Sequence, residues 1–359
     1  MTNYIKYKDS VVFHPGYYIE ELVEESGLTQ QDFANRLGTT PKTLSKLING
    51  QQGLSAEIAL KLSNMLGTSL EYWQNLQNAY DAAVVRIENE ALMEEEVAVL
   101  KKLDYSYFRD NFQLPDIPRK LDEQVFQVRR FLGVASLTVL CKPDLSVSFR
   151  SAVDEMSEAT LVKTNALIQI AMNETLKVDS PKFDKKKFNA AIEYALTQTT
   201  NHDGFYPLVK SKFLEAGVIL VILPNLKGSN INGASKKIGS SVMLMVNDRR
   251  LYADTFWFTL LHEAGHIANG DLGASLESDE NNKEAIADKF AEDLLIPSEA
   301  YQDFVSLRLF DSASIKSFAK KINRDPGIVL GRLQNDGYIG YKNSSYAGLR
   351  CKYKISYDL

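Results

Sequence analysis

The sequence predicts a mainly α protein with a small β-sheet, which is the α+β class. Short helices with recognisable caps fill its N-terminal part, and helical patterns continue through a polar middle. After Ala216 the character changes, and GVILVILPNL and SSVMLMVND predict two partner strands. Few strands beside many helices indicate this class.

Length, charge and cysteine content limit the possible functions. With 359 residues the chain is longer than one core usually supports, so two or three domains are expected. A formal net charge of −5 argues against a protein that coats nucleic acid or anionic membranes nonspecifically. Cys141 and Cys351 lie far apart, which argues against a disulfide framework or a thiolate zinc site. Neither a signal peptide nor a membrane span is predicted, so we expect a cytoplasmic protein without a membrane partner.

Four N-terminal helices each follow a residue that can cap them. These residues are Thr29 before QQDFANRL, Thr40 before PKTLSKLIN, Ser55 before AEIALKLSNML, and Thr68 in a capping box with Glu71. Only Gly38 and Thr39 separate the first two helices, which is the spacing of a helix-turn-helix whose later helix enters the major groove.

The later helix of this pair presents polar residues that could reach base edges or phosphates. They are Thr40, Lys42, Thr43, Ser45, Lys46 and Asn49. Any all-α domain contains capped helix pairs with polar outer faces, so a purely structural pair stays open on the pattern alone. The acidic first helix, with Glu20, Glu21, Glu24 and Glu25, also counts against DNA reading.

The stretch from HPGYYIEELVEESG to WQNLQNAYD, residues 14–81, resembles the HigA-type antitoxin branch of the XRE helix-turn-helix family. The resemblance implies a homodimer that binds palindromic operator DNA. It also implies that DNA is contacted from five positions, namely Gln30, Thr40, Lys42, Thr43 and Lys46.

The middle of the chain offers no chemistry that we can assign. ENEALMEEEVAVLKKL predicts a solvated helix that bridges domains, and SPKFDKKKFNAAIEYALT predicts a further capped helix. Lys185, Lys186 and Lys187 could touch DNA, but the start of a solvated helix explains them better.

The strands after Ala216 raise a possible role in substrate binding. Between them, PNLKGSNINGASKKIGS is rich in glycine and asparagine and predicts a mobile loop. If the strand Ser240–Val246 lies at a sheet edge, it could hold an extended substrate by β-augmentation. Asp254 can then cap a helix that ends before Gly270.

This last helix contains His262-Glu263-Ala264-Gly265-His266. Residues four apart share one helix face, so His262 and His266 can both bind one Zn²⁺ ion. Glu263 is placed to act as the catalytic base on a water polarised by zinc. Such matches also arise by chance in amphipathic core helices, but unpaired imidazoles would be costly in this apolar segment.

A third protein ligand is expected downstream of the two histidines. Glu284 is the preferred ligand, because it opens a helix whose apolar stripe can pack against the histidine helix. Asp288 lies four residues later, where it can accept a hydrogen bond from the far nitrogen of a ligating histidine. The rival carboxylates are those of Glu277, Asp279 and Glu280.

The segments EAGVILVILPNL, DTFWFTLLHEAGHI and EAIADKFAEDLLIP resemble the ImmA/IrrE metallopeptidase family. The resemblance implies zinc held by His262, His266 and Glu284, with Glu263 as base. Together with the N-terminal resemblance it gives three domains: a five-helix helix-turn-helix domain (1–81), a helical middle (82–210) and a zincin-like metallopeptidase domain with a C-terminal helical portion (211–359). His202 and Tyr252 are the candidates for an oxyanion donor, with an ordinary surface or packing role as the alternative for each.

The expected function is a DNA-binding transcriptional regulator with a zinc-dependent endopeptidase domain that cleaves a repressor or another partner protein. Two alternatives stay open. The chain could be a regulator without proteolytic activity, or a HigA-like antitoxin that binds operator DNA and a toxin.

Overall fold

A computed structural model describes residues 3–7, 10–142, 157–248, 252–270, 274–276 and 282–353. These residues form a mainly helical protein with two small sheets, which confirms the α+β class. The chain divides into two units, Met1–Glu95 and Glu96–Leu359. The predicted division into three domains is not tested by this result and stays a prediction.

The N-terminal unit begins with a β-hairpin that the sequence did not predict, in which β1 (Tyr4–Tyr7) pairs antiparallel with β2 (Ser10–Phe13). Five helices follow: α1 (Pro15–Glu25), α2 (Gln30–Leu37), α3 (Pro41–Ile48), α4 (Ala56–Leu66) and α5 (Leu70–Leu103). Their apolar faces meet in one core around Phe33, Leu44, Leu62 and Trp73.

Three of the four predicted caps are confirmed. Thr29, Thr40 and Ser55 accept hydrogen bonds from the backbone N–H groups three residues later. The capping box predicted at Thr68 is wrong. Ser69 caps α5 by accepting from Tyr72 N, while Thr68 Oγ1 accepts from the buried indole N–H of Trp73. Because the Thr68 hydroxyl binds the indole of Trp73, it does not cap α5.

Helix α5 is longer than predicted, because the two helices expected on either side of residue 82 are continuous in it. It runs from the N-terminal unit into the C-terminal unit. The connecting residues contain neither glycine nor proline, so nothing in the local sequence interrupts the helix.

The C-terminal unit continues with five helices before its sheet. They are α6 (Tyr105–Phe112), α7 (Leu121–Leu132), α8 (Glu158–Leu176), α9 (Lys185–Thr197) and α10 (Phe205–Glu215), with a 3-10 helix at Leu137–Cys141. A buried carboxylate fixes the path between α5 and the 3-10 helix, because Glu96 pairs with Arg129 and accepts from Leu137 N at 2.5 Å. Helix α9 is capped, as the pattern predicts, and the structure shows that Asp184 is the capping residue.

The sheet of this unit has the order β3-β5-β4-β6. Its strands are β3 (Val218–Pro224), β4 (Ile231–Ile238), β5 (Ser241–Asp248) and β6 (Ala274–Leu276). Strands β3 and β5 are parallel neighbours, and β4 is antiparallel to both β5 and β6. The mobile loop predicted between β3 and β5 is therefore wrong, because it contains β4.

Five helices pack on or follow this sheet. They are α11 (Ala253–Asn269), α12 (Asn282–Leu295), α13 (Ser298–Ser306), α14 (Ser312–Lys321) and α15 (Pro326–Asn335), followed by a 3-10 helix at Ser344–Leu349. Helix α11 ends at Gly270, as predicted, but begins at Ala253 after Tyr252, so Asp254 lies in its first turn. One large core contains buried residues from helices α9 to α15 and from strands β3 and β5. Among the described helices, none combines the length and apolar character that a membrane span requires.

Candidate metal centre and nucleic-acid interface

The two histidines and Glu284 converge on one point, which three interatomic distances define. His262 Nε2 lies 3.0 Å from Glu284 Oε2 and 3.2 Å from His266 Nε2. His266 Nε2 lies 3.3 Å from Glu284 Oε1. The two imidazoles are almost completely buried, with 8% and 6% of their surface exposed. In the part of the chain that is described, these residues are the group able to hold a metal ion.

The packing of α12 on α11 creates this convergence. Ala287, Ala291 and Leu295 are buried along one face of α12, which confirms the predicted apolar stripe. A Cβ at Gly265 would lie 3.0 Å from the ring of Phe290 and 3.4 Å from the Cα of Ala287. Glycine therefore lets the two helices approach closely at the turn that carries the histidines.

The three donors fit a zinc ion. Tetrahedral ligation with bonds of about 2.0–2.1 Å to nitrogen and 2.0–2.2 Å to oxygen places ligand atoms about 3.3–3.5 Å apart. The observed separations of 3.0, 3.2 and 3.3 Å are close to these values. Two imidazole nitrogens and one carboxylate also form a donor set that zinc accepts readily.

Asp288 orients the first of these histidines. Its Oδ1 lies 2.8 Å from His262 Nδ1, on the side of the ring away from Glu284. In the neutral ring this hydrogen bond keeps the proton on Nδ1, so that Nε2, which faces the other two donors, is the nitrogen that would bind a metal.

The carboxylates of Glu284, Asp288 and Glu263 favour a positive charge in this cluster. Burial lowers the pKa of His262, but hydrogen bonds to Asp288 and Glu284 outweigh it and raise this pKa to about 10. Burial raises the pKa of Glu284, but hydrogen bonds from His262 and His266 outweigh this effect and lower the pKa to about 2. In the metal-free protein a proton therefore supplies part of the charge that a divalent cation would bring.

Glu263 lies beside the cluster and is completely buried. Its carboxylate packs against the backbone of β4, where a Cβ added to Gly233 would lie 2.4 Å from Glu263 Cγ and 2.6 Å from its Cδ. A β-bulge between Ile231 and Gly233 shapes the strand at this position. Sequence reasoning missed Gly233, because its segment was assigned to a loop. The available signal was a glycine between Asn232 and Ala234, two residues after the β-branched Ile231.

Several other expectations about this site are decided by the structure. The β-augmentation hypothesis for Ser240–Val246 is wrong, because β5 is paired on both sides, with β3 and β4. His202 binds Asp325 and Tyr353 through its two ring nitrogens. Tyr252 precedes α11 and packs against Arg350 and Lys352, so both suggested oxyanion donors are engaged by residues outside the histidine cluster. The rivals Glu277, Asp279 and Glu280 lie outside the described residues.

In the N-terminal unit, α2 and α3 form the predicted helix pair around Gly38, whose φ of 67° suits glycine. Lys61 Nζ donates to Gly38 O at 2.8 Å and fastens this turn to α4. Leu44, Leu47 and Ile48 are buried, so the opposite face of α3 is turned outward, as predicted.

The residues predicted to contact DNA differ in how much the fold already uses them. Thr40 caps α3 and its hydroxyl lies 2.9 Å from that of Thr43, and Asn49 donates to Ser45 O at 2.7 Å. Gln30, Lys42 and Lys46 are exposed, and their side chains make no hydrogen bond or ion pair within the described chain. The two lysines and Gln30 therefore remain available to a ligand.

Comparison with known proteins identifies relatives of the N-terminal unit. A helix-turn-helix family model, HTH_3, matches residues 19–73. An uncharacterized HTH-type transcriptional regulator of Escherichia coli, YddM, is 39% identical over 69 residues, which cover 19% of this chain and 73% of the relative. Antitoxin HigA-1 of Vibrio cholerae is 41% identical over 61 residues, 17% of this chain and 57% of that protein. A crystal structure of PA4674 from Pseudomonas aeruginosa with its operator DNA shows 29% identity and a TM-score of 0.22, covering 23% of this chain and 93% of that one.

Proposed function

The chain belongs to the helix-turn-helix family through its N-terminal unit, and from this premise we propose that it is a transcriptional regulator that binds operator DNA as a homodimer. The observation that supports this is the outward face of α3. There, Lys42 and Lys46 are exposed one helical turn apart, while the opposite face is buried. Two exposed cations at this position can pair with phosphates beside the major groove.

Substitution of these lysines tests DNA binding. We expect Lys42→Ala and Lys46→Ala each to weaken binding to duplex DNA from upstream of the protein's own gene. Each should also reduce the slope of log affinity against log salt concentration by about one, which is the contribution of one phosphate contact. Lys101→Ala, which removes an exposed lysine outside the N-terminal unit, is the matched control. Equal affinity and slope in all four proteins would remove this assignment of α3.

We further propose that the C-terminal unit is a zinc-dependent endopeptidase of the ImmA/IrrE type, with a repressor or another partner protein as substrate. The convergence of His262, His266 and Glu284 on one point supports this proposal. These three side chains would hold zinc, which supplies Lewis-acid polarisation of water and of the scissile carbonyl.

The protein's own residues then divide the remaining work. Glu263 accepts a proton from the attacking water at its carboxylate and passes that proton to the leaving amine. Its complete burial against Gly233 limits the positions its carboxylate can adopt. Asp288 holds the His262 ring in the orientation that leaves Nε2 for the metal.

A charge-neutral substitution separates catalysis from metal binding. Zinc-loaded protein should cleave a protein encoded by a neighbouring gene, and Glu263→Gln should abolish this cleavage while retaining zinc and DNA binding. Glu299→Gln, the same change at an exposed position on α13, should leave cleavage intact. If zinc-loaded wild-type protein cleaves none of the neighbouring proteins but represses its operator, the regulator without proteolysis is the correct function.

The similarity to antitoxin HigA-1 favours a second candidate, an antitoxin that neutralises a toxin and represses its own operon. This function would leave the histidine cluster without a role. A small toxin gene beside the gene for this protein, with growth rescued by co-expression of Glu263→Gln, would support the antitoxin over the peptidase.

A further inference from the structure

A cavity of about 450 Å³ lies in the C-terminal unit, apart from the histidine cluster. Its walls come from three places: the segment before α9, the β4–β5 hairpin and the last turn of α11. The lining residues are Lys182, Phe183, Lys237, Gly239, Ser240, Val242, Ile267 and Gly270. None of the three predicted zinc ligands is among them.

The backbone holds these walls together. Phe183 N donates to Ser240 O at 2.9 Å, which ties the segment before α9 to the hairpin. Gly270 closes α11 with a φ of 78°, and its N–H bonds back to the carbonyls of His266 and Ile267. A Cβ on Gly239 or Gly270 would meet no atom within 4 Å, so both glycines border open space.

The chemistry of the lining is divided between an apolar floor and a charged mouth. Phe183, Val242 and Ile267 supply apolar surface, and Val242 and Ile267 are each 3% exposed. Lys182 and Lys237 are exposed, and neither has a carboxylate within ion-pair distance in the part of the chain that is described. In a protein with a net charge of −5, two such lysines over one apolar cavity form a local positive site.

We propose that this cavity binds a small amphipathic anion, with its apolar body against Phe183, Val242 and Ile267 and its carboxylate or phosphate between Lys182 and Lys237. Desolvation of the apolar body supplies most of the affinity, and the lysines select for a negative head group. A neutral ligand of the same length lacks the second interaction, and a short anion lacks the first.

The site also has a defined relation to the histidine helix. Ile267 directly follows His266, so a ligand in the cavity contacts the same helical turn that holds the second predicted zinc ligand. Binding of the anion does not depend on the proposed peptidase activity, and its test needs no substrate protein.

Calorimetric titration with a series of straight-chain carboxylates tests the proposal. From butanoate to octanoate the affinity should rise about fourfold for each added methylene, because each becomes buried. Octyl phosphate should bind comparably to octanoate, because both carry an anionic head group, and 1-octanol should bind more weakly than either. Affinity that does not change with chain length, or no saturable binding, would overturn the proposal.

Two variants locate the site. Lys182→Ala with Lys237→Ala should weaken octanoate binding about five- to tenfold, the effect of two exposed ion pairs. Lys316→Ala, an exposed lysine on α14, should have no effect. Equal weakening by the Lys316 control, or unchanged affinity in the double variant, would show that octanoate binds elsewhere.

Discussion

The two units place their candidate functional residues in opposite environments. On α3 of the N-terminal unit, Lys42 and Lys46 are exposed and contribute little to the core. In the C-terminal unit, His262, Glu263 and His266 lie inside the protein, at 8%, 0% and 6% exposure. Exposed cations cost a fold almost nothing, whereas buried imidazoles and carboxylates are costly unless they are paired or bind a cation. A buried polar or charged side chain is therefore a stronger indicator of function than an exposed one.

Removal of one predicted metal ligand should have the largest effect. Glu284→Gln eliminates the negative charge between the two histidines, so zinc content measured by atomic emission should fall from stoichiometric to background. Asp288→Asn removes only the support of His262 and should weaken zinc affinity by about 10- to 100-fold. Operator binding should be unchanged in both variants, which would sharpen the contrast between the units. Stoichiometric zinc in Glu284→Gln would contradict the proposed ligand set.

A methyl group beside the proposed base should have the next largest effect. In Gly233→Ala the new Cβ overlaps Glu263, whose carboxylate must move away from β4. A displacement of about 1 Å at a reacting group can reduce turnover about 100-fold, so cleavage should fall strongly while zinc content is retained. Gly340→Ala is the control, because a Cβ there meets nothing within 4 Å. Full activity in Gly233→Ala would show that the position of Glu263 is unimportant.

A similar substitution in the N-terminal unit should affect stability instead of catalysis. At Gly16 a Cβ would lie 1.9 Å from the Leu47 carbonyl oxygen, which belongs to the backbone of α3. Gly16→Ala should therefore destabilise this unit by about 3 kcal/mol. Amide hydrogen exchange should report faster exchange in residues 10–95 and no change after residue 157. In Gly53→Ala the atoms nearest to the new Cβ belong to the Gln77 side chain at 3.4–3.6 Å, which is ordinary van der Waals contact, and protection should stay near that of the wild type.

The smallest expected effect is a pH dependence at His14. This buried ring caps α1 by accepting from Gly16 N at 2.9 Å, and burial lowers its pKa below 6.5 although Asp81 opposes the shift. The unfolded chain then binds the proton more readily, so the N-terminal unit should lose stability as the pH falls from 6.5 through the lower pKa of the folded state. In His14→Asn the cap is kept without a titrating group, and hydrogen exchange in α1 should depend less on pH. The same pH dependence in both proteins would exclude His14 as its source.

Local sequence was sufficient for most helices. The caps at Thr29, Thr40 and Ser55 and the stops at Gly38 and Gly270 act within one or two turns, and all are found where the sequence predicts them. The continuity of α5 could also have been predicted, because its middle contains no residue that breaks a helix.

Strand pairing was the main failure of prediction. The segment that contains Gly233 has the composition of a loop, but as β4 it is paired with β5 and β6 and buried at Ile231 and Ala234. Whether such a segment becomes a strand depends on partners far away in the sequence, which local propensity does not describe.

The sequence by itself determined that His262 and His266 share one helix face, because helical periodicity is a property of neighbouring residues. It also narrowed the third donor to a few carboxylates. Only the tertiary structure brought the Glu284 carboxylate within 3.3 Å of both imidazole nitrogens, placed Gly233 against Glu263 and formed a cavity lined by Lys182 and Lys237. Each of these depends on how closely two distant segments approach, and packing of the whole core sets that distance.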